Sequence, residues 1–177
     1  MRFALVPLSV LVAVLFAQEK GIENLAPYTA TPQVIVDRML ALGGLRPGEK
    51  MFDLGSGDGR IVIMAAEKYQ ADATGVEFDP TLVQSSLALI EKLQLKPRAR
   101  IILGDLLKQD YSSADLLTIY LLPIANQKLI PMFEKQLKPG ARVVSHNTPF
   151  VPWSPAKIET IENDGEGRSH KLYLYQR

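Results

Sequence analysis

The chain has 177 residues, 47% of them hydrophobic and 22% charged, with 12 Gly and 12 Pro; this is the composition of one soluble domain, too short for two sizeable cores. Its 20 basic and 19 acidic residues leave a formal charge of +1, without the electrostatic footprint of a dedicated nucleic-acid binder. There is no cysteine and there are only two histidines, His146 and His170, which excludes disulfide frameworks, thiolate nucleophiles, structural zinc and histidine-rich metal clusters.

Arg2 precedes an apolar run from Phe3 to Ala17 broken only by Pro7 and Ser9, and polarity returns at Gln18, Glu19 and Lys20. The run has the form of a signal peptide, and at about 15 residues it falls short of the roughly 20 that cross a bilayer as a helix. A cleaved signal and a short anchor both fit: Ala17 suits the position before a cut, whereas Leu15 is bulky where a small residue is preferred. Residues 1–20 are therefore expected to target or anchor the chain, residues 21–48 to form a covering segment with a helix, and residues 49–177 to form the main domain. Membrane association through an uncleaved segment is the expected location, with export after cleavage the alternative.

Next, Thr31 and Pro32 read as the cap and first residue of a helix whose apolar positions are Val34, Ile35, Met39, Leu40 and Leu42, stopped by Gly43 and Gly44. Strands are expected over 50–54, 73–77, 100–104, 116–121, 141–146, 157–162 and 170–175. Helices are expected over 61–69, 81–95 and 126–137, with a short turn after Asp105. Asp79-Pro80 repeats the cap-then-proline start. The loop Asn163-Asp-Gly-Glu-Gly167 joins the last two strands as a hairpin. The expected fold is α/β: one doubly wound seven-stranded sheet, five strands parallel, closed by an antiparallel C-terminal hairpin as a reversed edge.

Such sheets bind ligands beyond the carboxyl ends of their strands. The first strand-helix junction reads Met51-Phe-Asp-Leu-Gly-Ser-Gly-Asp-Gly-Arg60, where glycines let the backbone turn tightly and approach a ligand. The spacing is G-x-G-x-G, and Arg60 stands where the dinucleotide fingerprint has its third glycine. Asp53 at the strand end and Asp58 in the loop would repel a pyrophosphate and suit a cationic amine or sulfonium. Glu77 ends the second strand, where a carboxylate accepts from ribose hydroxyls. Asp105 follows the third and can accept from an adenine amine.

With these residues in place, the sequence resembles the class I S-adenosylmethionine-dependent methyltransferases, Rossmann-like in fold, from about Pro27 to Arg177. Within them it is similar to the small lysine methyltransferases that modify the mitochondrial ATP synthase c subunit and adenine nucleotide translocase. Pro27-Tyr28 with Thr31-Pro32, Asp53 to Val62, Gly75-Val-Glu77, Asp105-Leu106, Tyr120-Leu-Leu-Pro123, Gly140 to Val143, and Pro149 with Pro152-Trp153 carry the likeness. The resemblance implies S-adenosylmethionine as cofactor, with Asp53, Gly55, Ser56 and Gly57 at its methionine part, Glu77 and Phe78 at its ribose, Asp105 at its adenine, and Tyr28 and Thr31 over it. Tyr120 to Pro123 lacks the Asn or Asp that many amino-methylating relatives carry there, which disfavours a planar base as acceptor and leaves a flexible lysine amine.

Methyl transfer from sulfonium to amine works by alignment and water exclusion, and burial favours the neutral lysine it needs. Tyr120, Pro123 and Trp153 are the candidate catalytic residues, with Tyr28, Leu122 and Phe150 as further walls. His146 reads as a structural histidine rather than a base, and Lys92, Lys96, Arg98 and Arg100 as a solvated face. The expected partner is a protein with an accessible lysine, a membrane protein being one option, and no nucleic acid. Alternatives are a small-molecule or lipid methyltransferase and a non-catalytic cofactor-binding module.

Overall fold

The computed structural model describes residues 28–177; the targeting or anchoring segment expected at 1–20, and Pro27, lie outside the described residues. Apolar runs flanked by turn residues form β1 (Lys50–Leu54), β2 (Asp72–Glu77), β3 (Ala99–Leu103), β4 (Leu116–Ile119), β5 (Arg142–His146), β6 (Lys157–Ile161) and β7 (His170–Gln176). Between them lie α1 (Gln33–Leu42), which precedes β1, then α2 (Arg60–Glu67), α3 (Pro80–Lys92) and α4 (Pro123–Gln136), with a short 3-10 turn at Leu106–Lys108. The sheet order is β3-β2-β1-β4-β5-β7-β6. Every residue of β4 is buried, as expected of a central parallel strand covered on both faces.

Local chemistry sets the helix starts. Asp79 Oδ1 accepts from the Thr81 amide at 2.7 Å, and Pro80 supplies a pre-set φ to open α3. Proline at the first position also starts α4, so that helix begins at Pro123 instead of Asn126. Thr31 does not cap α1: Pro32 holds that position without a side-chain bond, and Thr31 is buried.

The hairpin differs from the expected reversed edge. β7 is antiparallel to both β5 and β6, so the outermost strand β6 runs with β1–β5 and the reversed strand lies one place inside. Burial explains the order: β7 carries buried His170, Leu172 and Tyr175, whereas every residue of β6 is exposed or half-buried, a composition suited to an edge.

The faces are covered unequally. One packs against α1, α2 and α3 through Val36, Met39, Val62, Ala65 and Ile90. Among the described residues the other has only α4, through Ala125, Leu129 and Phe133, and Tyr111. The connection from β5 to β6 crosses this thinner face from the carboxyl to the amino ends of the strands. Phe150 stacks on Trp153 at 5.3 Å, and both pack on Phe133 and Tyr175.

Candidate active site

Beyond the carboxyl ends of β1, β2 and β4 the strand order reverses, β2 and β3 lying to one side of β1 and β4 and β5 to the other. A cleft of about 980 Å³, open mouth included, occupies this position, where doubly wound sheets place ligands. Its floor is the loop after β1. Gly55 and Gly57 adopt φ of 76° and 54°, left-handed values that cost other residues roughly 1–2 kcal/mol. A Cβ at Gly57 would stand 2.5 Å from Tyr28 Cε2, so the glycine lets the Tyr28 ring close over the loop.

The loop is held by acceptors from β2. The Gly55 and Ser56 amides donate to the Val76 carbonyl at 2.9 and 3.0 Å. Glu77 Oε2 accepts from the Gly57 amide at 2.8 Å, and Oε1 accepts from the amides of Phe78 and Asp79 at 2.9 and 3.0 Å. Three backbone donors thus fill three of the roughly four acceptor positions of a carboxylate. Glu77 organises the cleft first and has about one position left for a ligand hydroxyl, rather than the pair foreseen from sequence.

Asp53 lies at the centre, 2% exposed, and accepts from Thr118 Oγ1 at 2.8 Å. Burial pushes its carboxyl up to about 7, against the Thr118 hydrogen bond and with further help from Glu77 and Asp58. Asp105 uses Oδ1 to accept from the Leu107 amide at 2.9 Å and lies 3.7 Å from Lys108 Nζ.

Two residues without an expected role support the cleft, Arg60 at its mouth and the buried Thr118 beneath Asp53. Arg60 donates to Asp58 through Nε at 2.9 Å and Nη2 at 2.6 Å, and through Nη1 to the Thr31 carbonyl at 2.8 Å. The pair fastens the chain ahead of α1 to the glycine loop. Burial would raise the Asp58 carboxyl, but Arg60 outweighs it and lowers it. The signal was Arg60 itself, a long cation at a position where a glycine was one option. Thr118 was legible only as a lone hydroxyl in the buried run Leu116-Leu-Thr-Ile119.

Of the expected cofactor residues, Tyr28, Thr31, Asp53, Gly55 and Ser56 line the cleft, as do Gly57, Glu77, Phe78 and Asp105; Tyr120 is on the same wall. Pro123 and Trp153 are not. Pro123 is exposed at the start of α4. Trp153 lies near the opposite end of the sheet, its ring under the Arg177 guanidinium at 4.8 Å and its Nε1 donating to Glu134 at 3.2 Å. The expected walls are corrected accordingly: with one helix on that face, Trp153 and the fully buried Phe150 fill the space that a second helix would occupy.

The walls fit an adenosyl sulfonium. Carboxylates of Asp53, Asp58, Glu77, Asp79 and Asp105 border the cleft against one cation, Arg60, which is engaged with Asp58. Ser56 Oγ is buried without a hydrogen-bond partner. This surplus of acceptors suits a cation bearing hydroxyls and an amine, and no group of three or more metal-ligating side chains occurs among the described residues.

Comparison with known proteins agrees with this chemistry. The family described as the ANTKMT methyltransferase domain matches residues 53–157. A protein-lysine N-methyltransferase of Saccharolobus islandicus is 41% identical over 84% of this chain and 92% of its own length. The adenine nucleotide translocase lysine N-methyltransferase of Mus musculus is 35% identical over 75% of this chain, which spans 57% of that protein. Among solved structures, an RNA methyltransferase of Salinibacter ruber in complex with S-adenosyl-L-homocysteine superposes with a TM-score of 0.77 at 38% identity, over 84% of this chain and 93% of that one.

Proposed function

The chain belongs to the ANTKMT methyltransferase family and is an S-adenosylmethionine-dependent protein-lysine N-methyltransferase, and from that premise we propose how its residues divide the work and which proteins it serves. S-Adenosylmethionine supplies an electrophilic methyl group on a sulfonium. Asp53 and the loop Gly55-Ser56-Gly57 take its amino-acid end, Glu77 and Phe78 its ribose, and Asp105 its adenine amine, while Tyr28 and Thr31 cover it. The observation that carries this assignment is the convergence of Asp53, Glu77 and Asp105 from three strand ends on one cleft. The chain's contribution is alignment and exclusion of water, the main requirements of an in-line displacement.

The acceptor lysine enters beside Tyr120. The adjoining rim is apolar: Leu122 and Ile124 are 44% and 51% exposed on either side of Pro123, so Pro123 acts as part of a docking rim. Leu121 and Leu122 carbonyls are the candidate acceptors for the amine.

The protein substrate is a membrane protein, and the enzyme itself is membrane-associated through its N-terminal segment. Support comes from the Phe3–Ala17 run and from the mouse relative named for adenine nucleotide translocase. Among the described residues no helix is long and apolar enough to cross a membrane, so the tether is assigned to the N-terminal run.

Calorimetric titration of the full chain with S-adenosylmethionine, followed by transfer of labelled methyl to membrane and soluble protein fractions and to RNA, tests the reading. Label on lysine of a membrane protein is the expected result. Label in RNA or extractable lipid alone overturns the acceptor assignment, and recovery of the enzyme solely in the soluble fraction overturns the tether.

A further inference from the structure

Tyr120 borders the cleft from the end of β4, one residue past the last pair that strand makes with β5, Ile119 with Ser145. The chain then leaves the sheet for α4, so the direction of the Tyr120 ring depends on what packs behind it. Extending the β4–β5 register by one residue sets His146 opposite Tyr120, and facing side chains on one side of a sheet meet. The two rings do so with centroids 4.0 Å apart and a tilt of 38°. His146 itself is fully buried and lines no part of the cleft.

The imidazole behind the phenol is held in its plane from the far side. His146 Nε2 lies 2.8 Å from His170 Nδ1, and His170 Nε2 lies 3.1 Å from Asp164 Oδ2 in the β6–β7 turn. Asp164 also accepts from the Glu166 and Arg168 amides at 2.8 and 3.1 Å and from Arg168 Nε at 2.8 Å. Asn163 Oδ1 accepts from the Gly165 and Gly167 amides at 2.8 and 3.0 Å. The turn is thus closed by its own side chains and gives the row a fixed end. A carboxylate only accepts, so His170 carries its proton on Nε2, and His146 donates from its own Nε2 to the bare Nδ1 of His170.

We propose that His146 is the backing plate of the acceptor site: its ring, oriented by His170 and Asp164, fixes the Tyr120 ring against which the acceptor lysine is aligned. The role rests on the lysine acceptor and its entry beside Tyr120 assigned above. It needs ring contact alone, with no proton passing to or from the cleft. Both histidines are positioning residues that act through Tyr120. In-line attack tolerates little error in the approach of the amine, and a displacement of about 1 Å costs on the order of 100-fold in rate. A ring free to swing behind the amine gives no such alignment.

Burial gives the plate a second property. Together with the neighbouring His170 it holds the His146 imidazole down to about 3, so the ring stays uncharged wherever a lysine amine is available. An imidazolium behind Tyr120 would repel the sulfonium and the lysine ammonium that arrive in front of it, whereas a neutral ring leaves the electron-rich face of Tyr120 open to them. The same arrangement leaves His146 Nδ1 buried without a hydrogen-bond partner among the described residues, a cost that a residue serving packing alone, such as phenylalanine, does not carry.

The test uses the full-length enzyme with a lysine-bearing protein substrate and three variants, His146→Phe, His146→Leu and His170→Leu. The first two both lose the hydrogen bond to His170, but only phenylalanine keeps a flat ring against Tyr120. His146→Leu is expected to lower kcat by about 10- to 100-fold with calorimetric cofactor affinity within about threefold of wild type, whereas His146→Phe stays within about threefold in both. His170→Leu leaves the His146 Nε2–H without an acceptor, so the imidazole turns and kcat is expected to fall by about tenfold. Should His146→Leu fail to fold, His170→Leu carries the comparison with His146→Phe. Equal losses of kcat with and without the ring, or losses that track thermal stability, overturn the proposal. Carbon relaxation of ring-labelled tyrosine, with the Tyr120 signal assigned through Tyr120→Phe, provides a readout free of turnover. The Tyr120 ring order parameter is expected to be high in wild type and His146→Phe and lower in the two leucine variants, and an order parameter that neither leucine variant changes overturns the proposal. A wild type that methylates no lysine overturns the acceptor reading instead, and the relaxation result still decides whether His146 fixes the ring.

Discussion

Thr118 donates to Asp53 across the β1–β4 seam at 2.8 Å, and this hydroxyl opposes the lift that burial gives the carboxyl, which comes to rest at about 7. Without ligand, Asp53 is protonated in the fold and ionised in the unfolded chain between its ordinary value of 3.8 and about 7. The unfolded state binds fewer protons in that window, so stability falls as pH rises through it and the full penalty is present above about pH 7.

Replacing Asp53 with Asn removes this penalty. The ligand-free variant is expected to unfold at higher temperature than wild type at pH 8, by on the order of a few kcal/mol. Its affinity for S-adenosylmethionine is expected to fall by about 10- to 100-fold, the loss of one charged hydrogen bond of about 1.5–3 kcal/mol. Thermal scans with and without cofactor check both signs.

Thr118→Val keeps the shape and deletes the donor. Asp53 then titrates at higher pH, and since a cationic ligand selects the ionised carboxylate, cofactor affinity is expected to decline from a higher pH than in wild type. Below the transition the decline approaches roughly tenfold per pH unit. Calorimetry at several pH values locates the midpoint.

Gly57→Ala forces a methyl group to 2.5 Å from the Tyr28 ring and keeps φ at 54°. The fold is expected to survive with a loss of about 1–2 kcal/mol, while Tyr28 is pushed off the loop and cofactor binding weakens by more than about tenfold, a larger effect than stability alone gives. Tyr28 fluorescence is masked by the other tyrosines, so calorimetry with a Tyr28→Ala control is the appropriate measurement.

Arg60→Met cuts the tie to the Thr31 carbonyl and frees Asp58. Faster hydrogen exchange is expected at residues 28–32, with cofactor affinity down about tenfold, near the value of one charged hydrogen bond, and little change in the sheet. Exchange mass spectrometry reads the segment directly.

Trp153→Ala separates packing from chemistry. The loss of a half-buried aromatic is expected to lower stability by about 2–3 kcal/mol with cofactor affinity unchanged, since the ring lies against Arg177 and Glu134. Denaturant unfolding and calorimetry on the same sample make the comparison.

The seven strands and the acidic residues at their ends were legible because period and punctuation report them locally: Asp53, Glu77 and Asp105 each follow a short apolar run, and glycines or a proline mark the turn. The path of the β5–β6 connection was not. Neither period says which face a loop crosses, and Trp153 went to the opposite end because the face above α4 needed filling. The edge order was hidden for the same reason, a hairpin's antiparallel signal being blind to which arm docks inward. Glu77 shows a third limit: its position at the end of β2 was readable, but the Gly57 amide that joins those of Phe78 and Asp79 on its carboxylate comes from a loop folded back in space.

The two ends of the described chain leave the sheet at opposite poles. Tyr28 lies on the rim of the cleft, whereas the Arg177 amide and carbonyl bond Ala141 and Gly140 ahead of β5. An affinity handle fused after Arg177 therefore projects away from the substrate entrance, and enzyme immobilised through it presents that entrance to the solution. A handle of the same size placed just before Tyr28 would crowd the doorway, so the choice of terminus decides whether a protein-sized acceptor can reach the site in any pull-down or surface assay.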